Sequence, residues 1–220
     1  SLRAIVLTGE GSGFCAGLDL KSVLDADGGF DWPVAQAMEL QHAFAALVGR
    51  LRATDAAVIA AVNGAAVGAG MALALAADVR FAAPQASFHV GAVKIGITAG
   101  ECGISYHLPR LVGAGRAFEL MLTGRPVAAD EALRIGLVAD VLPQDGLLDR
   151  AMACARQVLA NAPYATAHTK RLMWQNVDAS SLHAAIELEN HAQVLGLMTE
   201  DFREAALAFV QKRKPSFSGR

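Results

Sequence analysis

Two short stretches of small residues have the composition of a binding site lined by backbone. Residues 14–21 (FCAGLDLK) and residues 63–71 (NGAAVGAGM) each follow an apolar run with strand character, residues 4–7 (AIVL) and residues 58–62 (VIAAV). Alanine and glycine let the main chain approach a ligand that a larger side chain would block. Two backbone N–H groups that face one pocket can hold the charge that develops on a carbonyl oxygen. The sequence therefore predicts an oxyanion hole and chemistry next to a carbonyl group.

The two stretches need a scaffold that brings them together, and the hydrophobic pattern predicts an α/β core. Apolar runs of strand length alternate with segments of helical spacing, which is typical of crossover connections. We predict strands at residues 4–7, 58–62, 79–82, 87–90 and 137–142, and helices at residues 36–52, 69–77, 130–135 and 147–160. From Pro163 onward only helices are predicted, near residues 165–177, 182–195 and 201–212. The sequence therefore predicts an α/β core over residues 1–160 and a helical region over residues 161–220.

Composition narrows the class of protein. The chain has 220 residues, a formal net charge of −2 and 54% hydrophobic residues, which describes an ordinary globular domain. Lysine and arginine are scattered outside residues 212–214, so no nucleic-acid partner is predicted. The longest apolar stretch, residues 65–77, is too short to span a bilayer, so no membrane partner is predicted. No leader is visible at Ser1 and the three cysteines fit free thiols, so we expect a cytoplasmic protein without a metal site.

Two other interpretations of the small-residue stretches are weaker. Gly64, Gly68 and Gly70 have neither the spacing of a dinucleotide-binding loop nor the Lys-Ser/Thr ending of a phosphate-binding loop. Cys15 has no histidine near it in the sequence that would activate it as a nucleophile. A small buried thiol that fills space is the better interpretation of Cys15. Neither alternative displaces the oxyanion hole.

The order and spacing of several motifs resemble the enoyl-CoA hydratase/isomerase (crotonase) family. The motifs are residues 6–9 (VLTG), 14–17 (FCAG), 63–70 (NGAAVGAG), 109–113 (PRLVG), 122–124 (LTG), 132–138 (ALRIGLV) and 209–217 (FVQKRKPSF). The resemblance implies a crotonase-like spiral of ββα units followed by a helical oligomerisation region that packs homotrimers, often paired into hexamers. It also implies an acyl-CoA substrate from fatty acid metabolism and no separate cofactor, because CoA is part of the substrate. Family members carry several dozen more residues ahead of residue 4, so we expect the N-terminal part of the usual core, and its share of the pocket, to be absent from residues 1–160.

The resemblance also implies which residues form the site. The two donors of the hole would be the N–H groups of Ala16 and Ala69. Substrate contacts are implied for Ala16, Gly17, Leu18, Asp19, Lys21 and Gly68, and for Phe209 and Lys212 near the CoA adenine. Asp19 can equally cap the start of a helix, and Lys21 can equally be a solvated surface lysine.

The group that moves a proton is harder to identify. Hydratases of this family typically use two glutamates, and alignment on the motifs places Ala72 and Ala92 at those positions. Glu101, in residues 100–104 (GECGI), is our first candidate, because other branches of the family carry an acidic residue in a similar glycine-bracketed loop. The alternative is that Glu101 only occupies the start of a helix. His89 is a second candidate, since histidine suits proton transfer near neutral pH, although strand alternation can turn it away from the pocket.

These residues leave three functions open. Hydration of an enoyl-CoA through an enolate held in the hole is the activity that we expect, since it is the commoner activity among relatives of this kind. A single carboxylate also suits migration of the double bond, which needs one proton removed and returned. The third alternative is an acyl-CoA binding protein without catalytic activity.

Overall fold

The computed structural model describes residues 2–220 as a mixed α/β chain with a helical C-terminal part. The strands are β1 Ala4–Thr8, β2 Ala57–Val62, β3 Ala65–Val67, β4 Val79–Ala82, β5 Ser87–His89, β6 Val127–Ala128 and β7 Asp140–Val141. The helices are α1 Leu20–Val23, α2 Val34–Ala53, α3 Ala69–Ala76, α4 Ile104–Val112, α5 Ala114–Thr123, α6 Ala129–Arg134, α7 Gln144–Leu159, α8 Pro163–Asn176, α9 Leu182–Leu197 and α10 Glu200–Val210, with a 3-10 helix at Ala92–Ile95.

The strands form two sheets. The first has the order β1-β2-β4-β7, and β4 pairs in parallel with both β2 and β7. The second has the order β3-β5-β6, in which β3 and β5 are parallel and β5 and β6 are antiparallel. Only two residues, Asn63 and Gly64, separate β2 from β3. The chain therefore passes from one sheet directly into the other, and α3 begins just after β3.

The chain divides into two compact units. The larger consists of residues 6–54 and 58–152, and the smaller of residues 2–5, 55–57 and 153–220. The core of the larger unit includes residues 58–62 of β2, which are fully buried, as is typical of a parallel strand covered on both faces. Other large side chains in this core are Phe81, Phe88, Met71, Leu75, Ile104, Leu108, Leu120 and Leu137.

Polar links hold the smaller unit together. The Lys170 ammonium of α8 is buried and donates to the Ala56 carbonyl oxygen at 2.8 Å. Arg171, the next residue, makes a bidentate ion pair with Asp55 at 2.7 and 2.8 Å. The Asp201 carboxylate, near the start of α10, accepts from the N–H groups of Ser218 and Gly219. These links fasten residues 55–57 and the C-terminal residues to the helices of this unit.

Most predicted elements are confirmed within a few residues, but the strand predicted at residues 137–142 is wrong for most of its length. Only Asp140–Val141 is a strand. The N–H groups of Leu137 and Val138 both donate to the Ala132 carbonyl oxygen of α6, so they close a turn instead of joining a sheet. The predictions also lacked the short strands β3 and β6 and the helix α5.

The predicted change of composition near residue 161 falls between two helices, since α7 ends at Leu159 and α8 begins at Pro163. The division into regions 1–160 and 161–220 stays a prediction. Across residues 2–220, no helix has both the length and the apolar character needed to cross a membrane.

Candidate active site

The first small-residue stretch is held against β3 like a short additional strand. The N–H groups of Phe14 and Cys15 both donate to the Ala65 carbonyl oxygen at 3.0 Å. The Val67 N–H donates in return to the Cys15 carbonyl oxygen at 2.9 Å. Cys15 therefore forms a parallel bridge with Ala66, the central residue of β3. This ladder fixes the backbone immediately before Ala16.

The two stretches touch through their main chains because glycine removes the side chains that would separate them. A Cβ on Gly70 would collide with the Cys15 carbonyl oxygen. A Cβ on Gly17, whose φ is +82°, would lie 2.7 Å from the Val67 oxygen and 3.4 Å from the Ala69 nitrogen. The segments that carry Ala16 and Ala69 are thus in van der Waals contact, and the structure brings the two predicted donors together.

Both predicted donors are available to a ligand. Ala69 is the first residue of α3, so its N–H has no partner within the helix, and the helix dipole adds a partial positive charge there. Among residues 2–220, neither the Ala16 N–H nor the Ala69 N–H donates to a protein acceptor. Gly68, just before α3, donates its own N–H to the His89 carbonyl oxygen at 3.0 Å. The Ala69 N–H is therefore free at a helix start whose preceding residue is anchored.

Glu101 lies beside these donors. Its Oε1 atom is 2.9 Å, and its Oε2 atom 3.9 Å, from the position that a Cβ on Gly68 would occupy. The carboxylate therefore lies against the residue that precedes Ala69. Within residues 2–220, no hydrogen-bond donor or cation pairs with this half-buried carboxylate. Burial raises the pKa of Glu101 above its ordinary value.

A strained turn presents Glu101. The Ile104 N–H donates to the Glu101 carbonyl oxygen at 2.8 Å, and the two residues between them, Cys102 and Gly103, have φ values of +44° and +83°. A left-handed conformation costs a residue with a side chain about 1–2 kcal/mol. The buried Cys102 accepts at its Sγ atom from Gln41 Nε2 of α2, at 3.7 Å. Strain of this kind is concentrated at functional sites, and here it falls next to the candidate base.

His89 is linked to the hole by its main chain, through the hydrogen bond to Gly68. Its ring is half-buried, with Nε2 at 2.8 Å from Ser87 Oγ. Burial, and to a smaller extent the nearby Lys94, hold the pKa of His89 below its ordinary value, which favours the neutral ring. Proton transfer by His89 stays a prediction.

The remaining predicted site residues differ in their surroundings. Asp19 is the N-cap of α1 and accepts from the Lys21 N–H at 3.0 Å, so its capping interpretation is confirmed. Leu18 and Lys21 are exposed, while Ala72 and Ala92 are buried. Phe209 and Lys212 are exposed residues of the smaller unit. Contacts of Leu18, Lys21, Phe209 and Lys212 with CoA stay predictions.

Asn63 lies beside the site but is not among the site residues predicted from the sequence. It is 3% exposed, and its side chain binds the loop that leads into Phe14 and Ala16. A buried amide at the end of an apolar strand must find hydrogen-bond partners, and that requirement was the available signal.

Comparisons with known proteins identify the family of this chain. The sequence model of the enoyl-CoA hydratase/isomerase family matches residues 1–220. A Mycobacterium tuberculosis protein named "Probable enoyl-CoA hydratase EchA12" is 43% identical over 99% of this chain and 77% of its own length. The Escherichia coli protein named 1,2-epoxyphenylacetyl-CoA isomerase is 34% identical over 100% of this chain and 82% of its own length. The chain therefore belongs to the enoyl-CoA hydratase/isomerase family.

A solved structure gives the same result for the fold. The crystal structure of an enoyl-CoA hydratase from Bacillus anthracis is 34% identical, with a TM-score of 0.91 over 99% of this chain and 82% of that one. The crotonase-like fold implied by the sequence motifs is thereby confirmed.

The assignment of the Ala69 donor predicts a specific effect of proline. Ala69→Pro removes the N–H at a first helical position that proline tolerates, so the fold should persist while turnover falls by about 100- to 1,000-fold. The control is Ala114→Pro, since Ala114 is also the first residue of a helix after a glycine and is exposed. Steady-state kinetics on both variants checks the prediction, and equal activities would refute the assignment.

The unpaired carboxylate predicts an unusual pH dependence of stability. Because the folded-state pKa of Glu101 is raised, the ionised carboxylate destabilises the fold, and this cost is absent at a pH below the unfolded-state pKa. Glu101→Gln should therefore raise the Tm at neutral and alkaline pH, and the gain should shrink as the pH falls. Thermal unfolding across pH measures this gain. The exposed Glu187→Gln control should show no such trend.

Proposed function

We propose that this protein acts on enoyl-CoA thioesters and that its principal reaction is hydration of the double bond. The observation that carries the proposal is the position of the Glu101 carboxylate, which lies against Gly68 and next to the available Ala69 N–H. An acid–base group and an oxyanion-binding group at one place are the two requirements of enolate chemistry. The names of the relatives, one a hydratase and one an isomerase of CoA esters, support the same substrate class.

The hole accounts for the activation of the thioester. The N–H groups of Ala16 and Ala69 would both donate to the thioester oxygen, which gains negative charge when the enolate forms. Fixed donors in a site with little water need no reorganisation at that moment, and each contributes about 3–4 kcal/mol to the transition state. No separate cofactor is required, because CoA enters as part of the substrate.

Glu101 would move the protons of the hydration. One carboxylate oxygen accepts a proton from water as the water oxygen bonds to C3, and the electron pair of the C2–C3 double bond moves into the enolate. The resulting carboxylic acid then gives a proton to C2, so the product is the 3-hydroxyacyl-CoA and the carboxylate is restored. The raised pKa of Glu101 helps, because the protonated intermediate state is then closer in energy to the carboxylate.

Migration of the double bond is the second candidate function. It is favoured by the side chains of Ala72 and Ala92, whose methyl groups cannot transfer a proton and leave Glu101 as the carboxylate at the hole. Glu101 would take a proton from C2 of a 3-enoyl-CoA and return a proton to C4 of the dienolate. The same hole would hold the charge in both reactions.

Membership of this family also suggests where CoA binds, where the protein is located and how it assembles, and we make these three points as proposals. We place the CoA moiety against the exposed Lys21, and we expect a cytoplasmic protein, for which the three free cysteines are the support. We also propose a homotrimer or a pair of trimers. Its support is the exposure of large apolar side chains on α9 and beyond, among them Leu195 at 59% and Met198 at 70%.

Removal of the base tests the function. Glu101→Gln keeps the size of the side chain, so affinity for acyl-CoA should persist while turnover falls by about 100- to 10,000-fold. The substrates are crotonyl-CoA, whose conjugated absorbance is lost on hydration, and a 3-enoyl-CoA for migration. The acid limb of the wild-type kcat/KM profile should lie above the ordinary range of a glutamate, because the carboxylate is the active form and its pKa is raised.

Glu187→Gln is the matched control, and it should match the wild type in both assays. Retained activity in Glu101→Gln would assign the proton transfer to another group, with His89 next. Absence of both activities in the wild type, with tight acyl-CoA binding, would show a binding protein instead.

The assembly is tested by light scattering. The 22.9 kDa chain should give a trimer or hexamer mass at micromolar concentration. Leu195→Lys should lower that mass because it places a charge on an apolar contact, whereas Gln193→Lys, at an exposed polar position on the same helix, should not. A monomer mass for the wild type would contradict the proposal.

A further inference from the structure

Asn63 connects two distant parts of the chain through its side-chain amide. Its Oδ1 atom accepts from the Gly9 N–H at 3.0 Å. Its Nδ2 group donates to the carbonyl oxygens of Gly11 and Gly13, each at 3.1 Å. Both amide hydrogens and the amide oxygen are therefore used by one loop, residues 9–13, which is about fifty positions away in the sequence.

This loop leads directly into the first donor of the hole. Gly13 precedes Phe14, whose N–H is fixed on Ala65, and Ala16 follows two residues later. The packing is close, since a Cβ on Gly64 would collide with the Ser12 carbonyl oxygen. Residues 9–13 therefore lie directly against Asn63 and Gly64, and their position determines where the backbone of Ala16 can lie.

We propose that Asn63 is a positioning residue that sets the location of the Ala16 N–H and thereby the geometry of the oxyanion hole. The inference rests on the proposed function of the hole. Asn63 is almost fully buried, and its polar side-chain atoms are occupied by the loop, so it acts through the backbone and not on the substrate. If a donor moves by a fraction of an ångström, the transition state loses far more stabilisation than the bound substrate does.

The chain offers a matched control at the same residue. The Asn63 main-chain carbonyl oxygen accepts from Gln85 Nε2 at 3.0 Å, a hydrogen bond that does not involve residues 9–13. Gln85→Ala removes this bond and leaves the side-chain amide of Asn63 in place. A purely structural role of Asn63 predicts similar consequences of the two changes for catalysis, whereas a positioning role predicts different ones.

The test compares Asn63→Asp with Gln85→Ala. The carboxylate in Asn63→Asp keeps the size of the side chain and the acceptor for Gly9, but its second oxygen faces the carbonyl oxygens of Gly11 and Gly13, and this repulsion displaces the loop. We expect kcat to fall by about 10- to 100-fold, with KM and the dissociation constant of a saturated acyl-CoA changed by less than about twofold. Gln85→Ala should keep kcat within about twofold of the wild type.

Hydrogen exchange supplies a readout that does not depend on turnover. In Asn63→Asp, amide exchange should accelerate in residues 9–17 and stay unchanged in α3, and Gln85→Ala should leave both unchanged. If Asn63→Asp does not fold, the uncharged Asn63→Ser takes its place in both measurements. The proposal is overturned if kcat stays within twofold of the Gln85→Ala value, or if KM rises as much as kcat falls. Should the wild type turn over no enoyl-CoA, the proposed function fails, and the exchange of residues 9–17 still decides whether Asn63 positions Ala16.

Discussion

The site depends on direct contact between two stretches of main chain, residues 14–17 and residues 65–70. Hydrogen bonds between Cys15 and β3 fix their register, and the missing side chains of Gly17 and Gly70 let them touch. Both requirements limit the sequence. A Cβ at Gly70, for example, would break a main-chain contact that no side-chain rotation can restore. The starting residue of α3 is limited in the same way, because the helix must begin at Ala69 if the Ala69 N–H is to remain available.

The site holds several features that disfavour folding. The Glu101 carboxylate is partly desolvated without a pairing cation, Cys102 is left-handed, and the N–H group of the half-buried Ala69 finds no acceptor among the described residues. Each is destabilising in an otherwise satisfied structure. The surrounding elements compensate, because β2 and α3 are almost entirely apolar and buried. A continuous apolar core therefore lies behind the candidate polar groups.

The pattern of apolar and small residues predicted those parts of the fold that depend only on nearby residues in the sequence. The apolar run of β2, the small residues of α3 and the helical tail were all found, and the structure brings together Ala16, Ala69 and Glu101 as the motifs implied. The wrong or missing predictions share a different cause. In each case the residue's hydrogen-bond partner is either far away in the sequence or not the partner that a strand would provide. Residues 137–138 have strand-type side chains, yet their N–H groups bind Ala132. The sequence pattern predicts a turn at Asn63, but its side-chain amide binds a loop that lies about fifty residues earlier in the chain. Neither partner can be inferred from periodicity.

The surroundings of Glu101 also determine how its proton affinity is controlled. In a pair of carboxylates, each group changes the pKa of the other, so the proton affinity is a property of the pair. The family resemblance places the two glutamates of a hydratase at positions 72 and 92, where this chain has alanine, and burial is what raises the pKa of Glu101. Its basicity then depends on how completely water is excluded around Gly68. Under the proposed function, an acyl chain bound beside the hole would exclude more water and would so raise the basicity of Glu101 further.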